Sequence, residues 1–329
     1  MRELHDLTVC IPAYNRPDYL RDALTSLCGQ GLNREGLVVV VSDDASPTSL
    51  EPVVAEYEDR LQIVYCRSQS NIGHIANFAR AFELAQSRYV SFLPHDDVLA
   101  PGHLARALSI LTDYPQTVLL AGEVLHQRYP GAPGASLHGL SFRDDPTAWR
   151  LEPCQWKQDE WMASALVGTP FNMVGAIFDA EAFRKCHVWK QFPLWHDRVW
   201  CAEMALYGQV LSLPWVCGYY RVTEGQMSQR LWHSNAGEFV KVSEWLLKLC
   251  DEKGIALLPF WLDRICTAAP SRRSQYLDML FSAVPDEVYE RIHRECEQRL
   301  GSRLRRSGRL SRLRLPISIE KRLGSFLRR

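Results

Sequence analysis

The chain has 329 residues, 47% hydrophobic and 23% charged, with 38 Lys+Arg against 38 Asp+Glu. This composition excludes a disordered or low-complexity polypeptide, no apolar run approaches the ~18 residues of a membrane span, and Met1–Asp6 lacks an apolar signal segment. The zero net charge conceals a split: residues 299–329 hold 11 basic residues and one acid, Glu320, leaving 27 basic and 37 acidic residues elsewhere.

Leu7–Ile11 reads as a short buried strand stopped by Pro12, and Pro17 opens a helix with Leu20, Ala23, Leu24 and Leu27 on one face. Leu37–Val41 is a continuous apolar run of the kind buried on both faces of a parallel sheet. It ends in Ser42-Asp43-Asp44-Ala45-Ser46. A helical stretch to about Glu58 leads to a third strand at Leu61–Cys66, and another helix opens within Asn71–Ala79 and runs to about Ala85. Tyr89–Leu93 is a fourth strand, running into Pro94-His95-Asp96-Asp97. Strands alternating with helices at this spacing predict a doubly wound, mainly parallel α/β sheet with right-handed crossovers.

In such a sheet ligands bind beyond the carboxyl ends of the strands. The loops of Tyr14, Asp43-Asp44 and Asp96-Asp97 all fall there. Two adjacent carboxylates at the end of a buried strand are costly unless a cation faces them. Mg²⁺ or Mn²⁺ carrying a diphosphate satisfies them, since such ions take one or two carboxylates plus phosphate oxygens; the plainer alternative is a solvated turn capping the next helix. Neither a Gly-x-Gly-x-x-Gly fingerprint nor a P-loop follows the first strand, which argues against dinucleotide and P-loop chemistry. Tyr14 can stack on a base, and Asp44 can accept the imide N–H of uracil or thymine.

Four segments in order, Pro12-Ala13-Tyr14-Asn15, Asp43-Asp44-Ala45-Ser46, Asn71-Ile72-Gly73 with Asn77, and Phe92–Asp97, resemble the inverting family 2 glycosyltransferases of the GT-A fold. The resemblance runs from Thr8 to about Gln229. It implies a nucleotide-sugar site made by Pro12, Ala13, Tyr14, Asn15, Arg16, Asp44, Ser46, Asn71, Gly73, Asn77 and Asp96. It also implies a divalent metal (Mg or Mn) held by Asp97, with Asp96 as a metal, sugar or supporting contact. The family often has a further acid where Pro94 stands and a His where Thr223 stands, so the third metal contact is open, with His233 a substitute. Pro193–Gly208 resembles the family's acidic pair opening a helix: Asp197 stands at the general-base position, and His196 replaces the usual Glu, so the proton acceptor is Asp197, a His-Asp pair or His196 itself. A helix N-cap is the alternative for Asp197. Gln226–Trp232 does not match the Gln-x-x-Arg-Trp of processive synthases, implying one sugar added per encounter.

Trp156–Leu166 reads as a helix, Phe171–Phe178 as a strand approaching the site, and Val210–Pro214 and Val216–Val222 as two closing strands. This organisation predicts a transferase domain over 1–234, a helical extension over 235–298 and a basic tail over 299–329. In that tail Leu304, Leu310 and Leu313, then Ile319, Leu323, Phe326 and Leu327, sit among arginines, as in helices that lie on anionic membranes. A nucleic-acid arm would not need that apolar face. The ten scattered cysteines show no Cys-x-x-Cys pair and read as reduced.

The sequence is thus expected to encode a cytoplasmic glycosyltransferase, peripheral on the inner face of the cell membrane. It would move a sugar from a UDP- or dTDP-linked donor to a lipid-linked or cell-envelope saccharide. The alternatives are an inactive GT-A-like membrane scaffold and a sugar-phosphate nucleotidyltransferase; the latter would need a Gly-rich basic loop that Ala13-Tyr14-Asn15 does not supply.

Overall fold

The computed structural model describes residues 7–128, 132–138, 153–222, 236–301 and 304. Strands β1 (Leu7–Ala13), β2 (Leu37–Asp43), β3 (Gln62–Arg67) and β4 (Tyr89–Phe92) alternate with helices α1 (Pro17–Cys28), α2 (Glu51–Ala55) and α3 (His74–Glu83). They lie parallel in the order β3-β2-β1-β4. Each run of Val, Ile and Leu without alternation is buried on both faces, which is why β1 and β2 show no period of two.

The sheet continues as a mixed structure. After β5 (Val98–Leu99), α4 (His103–Asp113), β6 (Thr117–Arg128), β7 (Ala132–His138) and β8 (Cys154–Gln155) come α5 (Gln158–Val167), β9 (Ile177–Asp179), α6 (Ala180–Arg184), α7 (His196–Met204) and β10 (Gln209–Val222). β9 is antiparallel to both β4 and β6, whereas β10 runs parallel to β6. The full order is β3-β2-β1-β4-β9-β6-β10-β5, with β7 on β6 and β8 on β10.

Two expectations change here. The two closing strands are one, β10, whose ladder to β6 shifts register between Ser212 and Gly218. Pro214 has no N–H to donate, so the chain bulges past it instead of ending. The strand expected at Phe171–Phe178 is only Ile177–Asp179. Before it, Val174 N donates to Asn172 Oδ1 (3.0 Å), Ala176 N donates to the Met173 carbonyl (3.0 Å), and Gly175 takes φ +74°, a turn geometry that breaks the strand.

The chain forms two units: residues 1–156 with 170–226, and residues 157–169 with 227–329. The first holds the sheet, together with an aromatic cluster beside β4. In it Phe78 meets Phe92 (4.9 Å between centroids), Phe92 meets Phe178 (5.3 Å), and Phe183 meets Phe178 (4.7 Å) and Trp200 (5.4 Å). The second holds α5, whose start is Gln158 rather than Trp156, with α8 (Ala236–Glu252), α9 (Leu257–Thr267), α10 (Pro270–Ala283) and α11 (Asp286–Leu300). Seven consecutive α5 residues, Trp161–Val167, are buried, so this helix carries no amphipathic stripe. Among the described residues no helix is long and apolar enough to cross a membrane.

Candidate functional site

Parallel pairing of β1, β2 and β4 delivers their carboxyl ends side by side, Ala13 in register with Asp43 and Cys10 with Phe92. The loop after β1 leaves through Tyr14, Asn15 and Arg16, all exposed, with Asn15 and Arg16 in the left-handed region (φ 57° and 54°). Left-handed backbone costs a non-glycine residue about 1–2 kcal/mol and persists only where surroundings impose it. Here Asn15 N donates to Ser46 Oγ (2.8 Å), and the Arg16 guanidinium is stacked 3.4 Å from the Tyr19 ring centroid while pairing with Asp18.

After β2, Asp43 is a fully buried hub. It accepts from the Ser46 N–H (2.9 Å) and hydroxyl, and from Tyr65 Oη–H (2.7 Å), and it lies 3.4 Å from Arg67 Nε. Asp44 faces the other way: its two oxygens accept from Ile72 N (2.7 Å) and Gly73 N (3.0 Å). Gly73 adopts φ 85°, ψ 159°, a glycine-only conformation, and caps α3. Asn71 Nδ2 approaches the Asp44 carbonyl (3.4 Å). Asn77 is buried and its amide is committed internally: Nδ2 donates to the carbonyls of Ala13 (3.3 Å) and Ser42 (3.0 Å), and Oδ1 accepts from Ser42 Oγ (2.6 Å).

After β4, a turn closed by Asp97 N to the Pro94 carbonyl (3.0 Å) presents the acidic pair. Asp96 is half-buried; Asp97 is 1% exposed. Asp97 Oδ1 accepts from the Arg221 backbone N–H of β10 (2.7 Å), and Oδ2 is buried with no hydrogen-bond partner. Burial, then the neighbouring Asp96 charge, push the Asp97 carboxyl well above the usual range. An orphaned oxygen on such a group fits a hard cation. Among the described residues no cluster of three or more His, Cys, Asp or Glu could hold one alone, so an ion here would complete its shell with phosphate or water oxygens. His95 hydrogen-bonds the Pro12 carbonyl; burial lowers it below the ordinary imidazole value, outweighing Asp96 and that bond.

The Pro193–Asp197 segment closes on the same side. His74 Nε2 donates to the Pro193 carbonyl (2.8 Å), and the His196 ring packs 5.4 Å from Phe78 and 5.9 Å from His74. Because a carbonyl only accepts, His196 donates from Nδ1 to Pro193 O (3.1 Å); its Nε2 is buried without a partner. Burial, then His74, hold its pKa at about 4. Asp197 is half-buried in the first turn of α7, its Oδ1 accepting from Arg198 N (2.8 Å). The N-cap position belongs to Trp195, so Asp197 does not cap the helix.

The structure therefore links all the expected loops through hydrogen bonds or ring contacts. The expected residues divide in two. Tyr14, Asn15, Arg16, Asn71, Gly73, Asp96, His196 and Asp197 are exposed or half-buried, whereas Pro12, Ala13, Asp44, Ser46, Asn77 and Asp97 are buried. Sequence reading missed Asp43 as hub, because the β2–β3 register that sets it opposite Arg67 is a pairing across the sheet. The Arg221 N–H contact had no sequence signal, being a main-chain group. Thr223, His233, Gln226–Trp232 and nearly all of the basic tail lie outside the described residues.

Residues 8–135 match the family model described as glycosyl transferase family 2. The chain carries a family 2 glycosyltransferase domain. Abequosyltransferase RfbV of Salmonella typhimurium is 32% identical over 101 residues, 30% of either chain. Validoxylamine A glucosyltransferase of Streptomyces hygroscopicus is 31% identical over 157 residues, 46% of this chain and 37% of that one. The match thus spans well under half of these curated relatives. In fold, the chain is similar to S. aureus TarS residues 1–349 in complex with UDP (TM-score 0.55, 15% identity, covering 90% of this chain and 89% of that one). It is likewise similar to the mannosyltransferase PcManGT of Pyrobaculum calidifontis with GDP-Man and Mn²⁺ (TM-score 0.55, 16% identity, 98% and 88% covered). The mostly parallel, helix-flanked sheet is of the GT-A type, followed by a helical C-terminal region.

Proposed function

We propose that this protein is a metal-dependent inverting glycosyltransferase of cell-envelope polysaccharide type. It moves one sugar from a UDP- or dTDP-linked donor to a hydroxyl of a lipid-linked or envelope saccharide. The observation that carries the reading is the buried, unpartnered Asp97 Oδ2 beside half-buried Asp96, beyond the carboxyl end of a parallel strand, where α/β sheets take their ligands. UDP and GDP-Man with Mn²⁺, bound in two proteins of like fold, support the ligand class.

In this mechanism Tyr14 stacks on the base, and the Asp44–Gly73 loop lines the base and ribose side. Arg16 and the loop around Asn15 face the donor, and Asp97 and Asp96 would hold the cation. When bound, a cation there would neutralise charge developing on the departing diphosphate. Asp197 removes the acceptor hydroxyl proton on the face opposite the leaving group, as a single inverting displacement requires. His196, neutral and donating to Pro193, orients the start of α7; its low basicity makes it a poor acceptor near pH 7. The basic tail docks the enzyme on the anionic inner leaflet.

Thermal stability with UDP, dTDP, GDP and CDP, each with and without Mn²⁺, tests the reading. One nucleotide should raise the melting temperature only with metal, and Asp97→Ala should abolish the shift. No shift with any nucleotide would refute the catalytic reading and leave a GT-A-like scaffold.

A further inference from the structure

We propose that the helical unit carries a saccharide-binding cavity of its own, lined by the start of α5, the length of α9 and the first turns of α10. An open-sided cavity of about 550 Å³ lies there, within the roughly 300–1,000 Å³ of small-molecule sites. Every residue of its wall belongs to the second unit.

The chemistry of the wall selects the ligand class. Lys157, Arg264 and Arg272 line it together with Asp159, Glu160 and Asp263, so three formal cations balance three anions. A wall without net charge gives no steering to phosphates or nucleic acid. It does offer carboxylate acceptors and ammonium and guanidinium donors in one small volume. Hydroxyl groups donate and accept at once, so a neutral polyhydroxylated molecule can use both kinds.

Half-buried Phe260 supplies the other half of a sugar site, an apolar surface for ring C–H groups, with Tyr276, 7% exposed, beneath it. Phe260 and Tyr276 both line the cavity, and the Arg264 guanidinium carbon lies 6.0 Å from the first ring and 5.6 Å from the second. Tyr276 is itself backed edge-on by buried Trp261 at 6.2 Å. Arg264 thus lies within cation–π reach of both rings, its planar donors beside the apolar surface. Joined to the transferase reading, on which this one step rests, the occupant is a segment of the acceptor saccharide, bound by residues other than those assigned to the donor.

Saturation-transfer NMR on the full chain tests this, with methyl glycosides of glucose, galactose, mannose, rhamnose and N-acetylglucosamine as probes. At least one should receive saturation, and Asp263→Asn with Arg272→Gln should weaken that binding about tenfold by removing charge-assisted hydrogen bonds. The metal-dependent nucleotide shift should be unchanged in the same variant. If the double variant does not fold, Asp263→Asn alone, at an exposed position, carries the same expectation. No glycoside signal from the wild type overturns the proposal, as does undiminished binding in a folded variant, which would leave a solvated ion cluster. Displacement of the glycoside by inorganic phosphate at constant ionic strength overturns it as well, since that identifies an anion site. Glycoside binding without any nucleotide shift would instead sink the transferase reading and leave the cavity standing.

Discussion

Replacing Asn77 by alanine separates a loop-holding residue from a donor contact. The side chain makes three buried hydrogen bonds, to Ser42 Oγ and to the carbonyls of Ser42 and Ala13. At about 1 kcal/mol net each, their loss amounts to about 3 kcal/mol. The Ala13 carbonyl keeps its bond from Asp44 N (2.9 Å), so it is not orphaned and adds no further desolvation penalty. With a urea slope of about 3 kcal/mol per M, the unfolding midpoint should fall by about 1 M, read by tryptophan fluorescence. Ser42→Ala, which deletes one of the three bonds, should give about a third of that. A midpoint within about 0.2 M of wild type for Asn77→Ala, combined with lost nucleotide binding, would refute the argument and make Asn77 a direct donor contact.

Tyr14→Ala should do the reverse: Tyr14 is 44% exposed, so stability should hardly change while nucleotide affinity falls about tenfold through lost base stacking. An unchanged affinity in titration calorimetry would remove Tyr14 from the site. Gly175→Ala should destabilise by about 2 kcal/mol or more in urea unfolding, since φ is +74° and an added Cβ would sit 2.9 Å from Cys217 Cβ and 3.0 Å from His103 Nε2. His103 accepts from Trp215 Nε1–H at Nδ1 (3.2 Å) and donates from Nε2 to Gly175 O (2.7 Å), and burial holds its pKa at about 4. The folded protein therefore resists a proton that the unfolded chain accepts below about 6.5, so this contribution is complete above that pH and falls by about 3 kcal/mol toward pH 4. Ring resonances of His103 titrating near pH 6.5 would contradict it.

The parallel half of the fold was legible because its strands are short continuous apolar runs, and because β1, β2 and β4 are buried on both faces. The candidate site was legible for a related reason: polar residues stand where those runs stop. What escaped depends on pairing across the sheet. β9 is three residues long, and its antiparallel place between β4 and β6 follows from no local pattern. The division of labour between Asp43 and Asp44 depends on which side of β2 each carboxylate leaves, and the sequence offered the pair without saying which oxygen the backbone would claim.

The sheet order ends in β3, a six-residue edge, while its opposite end, β5, has only two residues. The main chain on the outer side of β3 is a template for another strand, and Val64 there is 41% exposed. Concentrated protein should thus self-associate through this margin. Its neighbour Tyr65 holds Asp43 from the opposite face of the strand, so Val64→Lys should suppress light scattering while leaving nucleotide binding intact. The margin open to such pairing also carries Tyr65 and Arg67, the residues that brace Asp43, so Val64 can be redesigned while those two cannot.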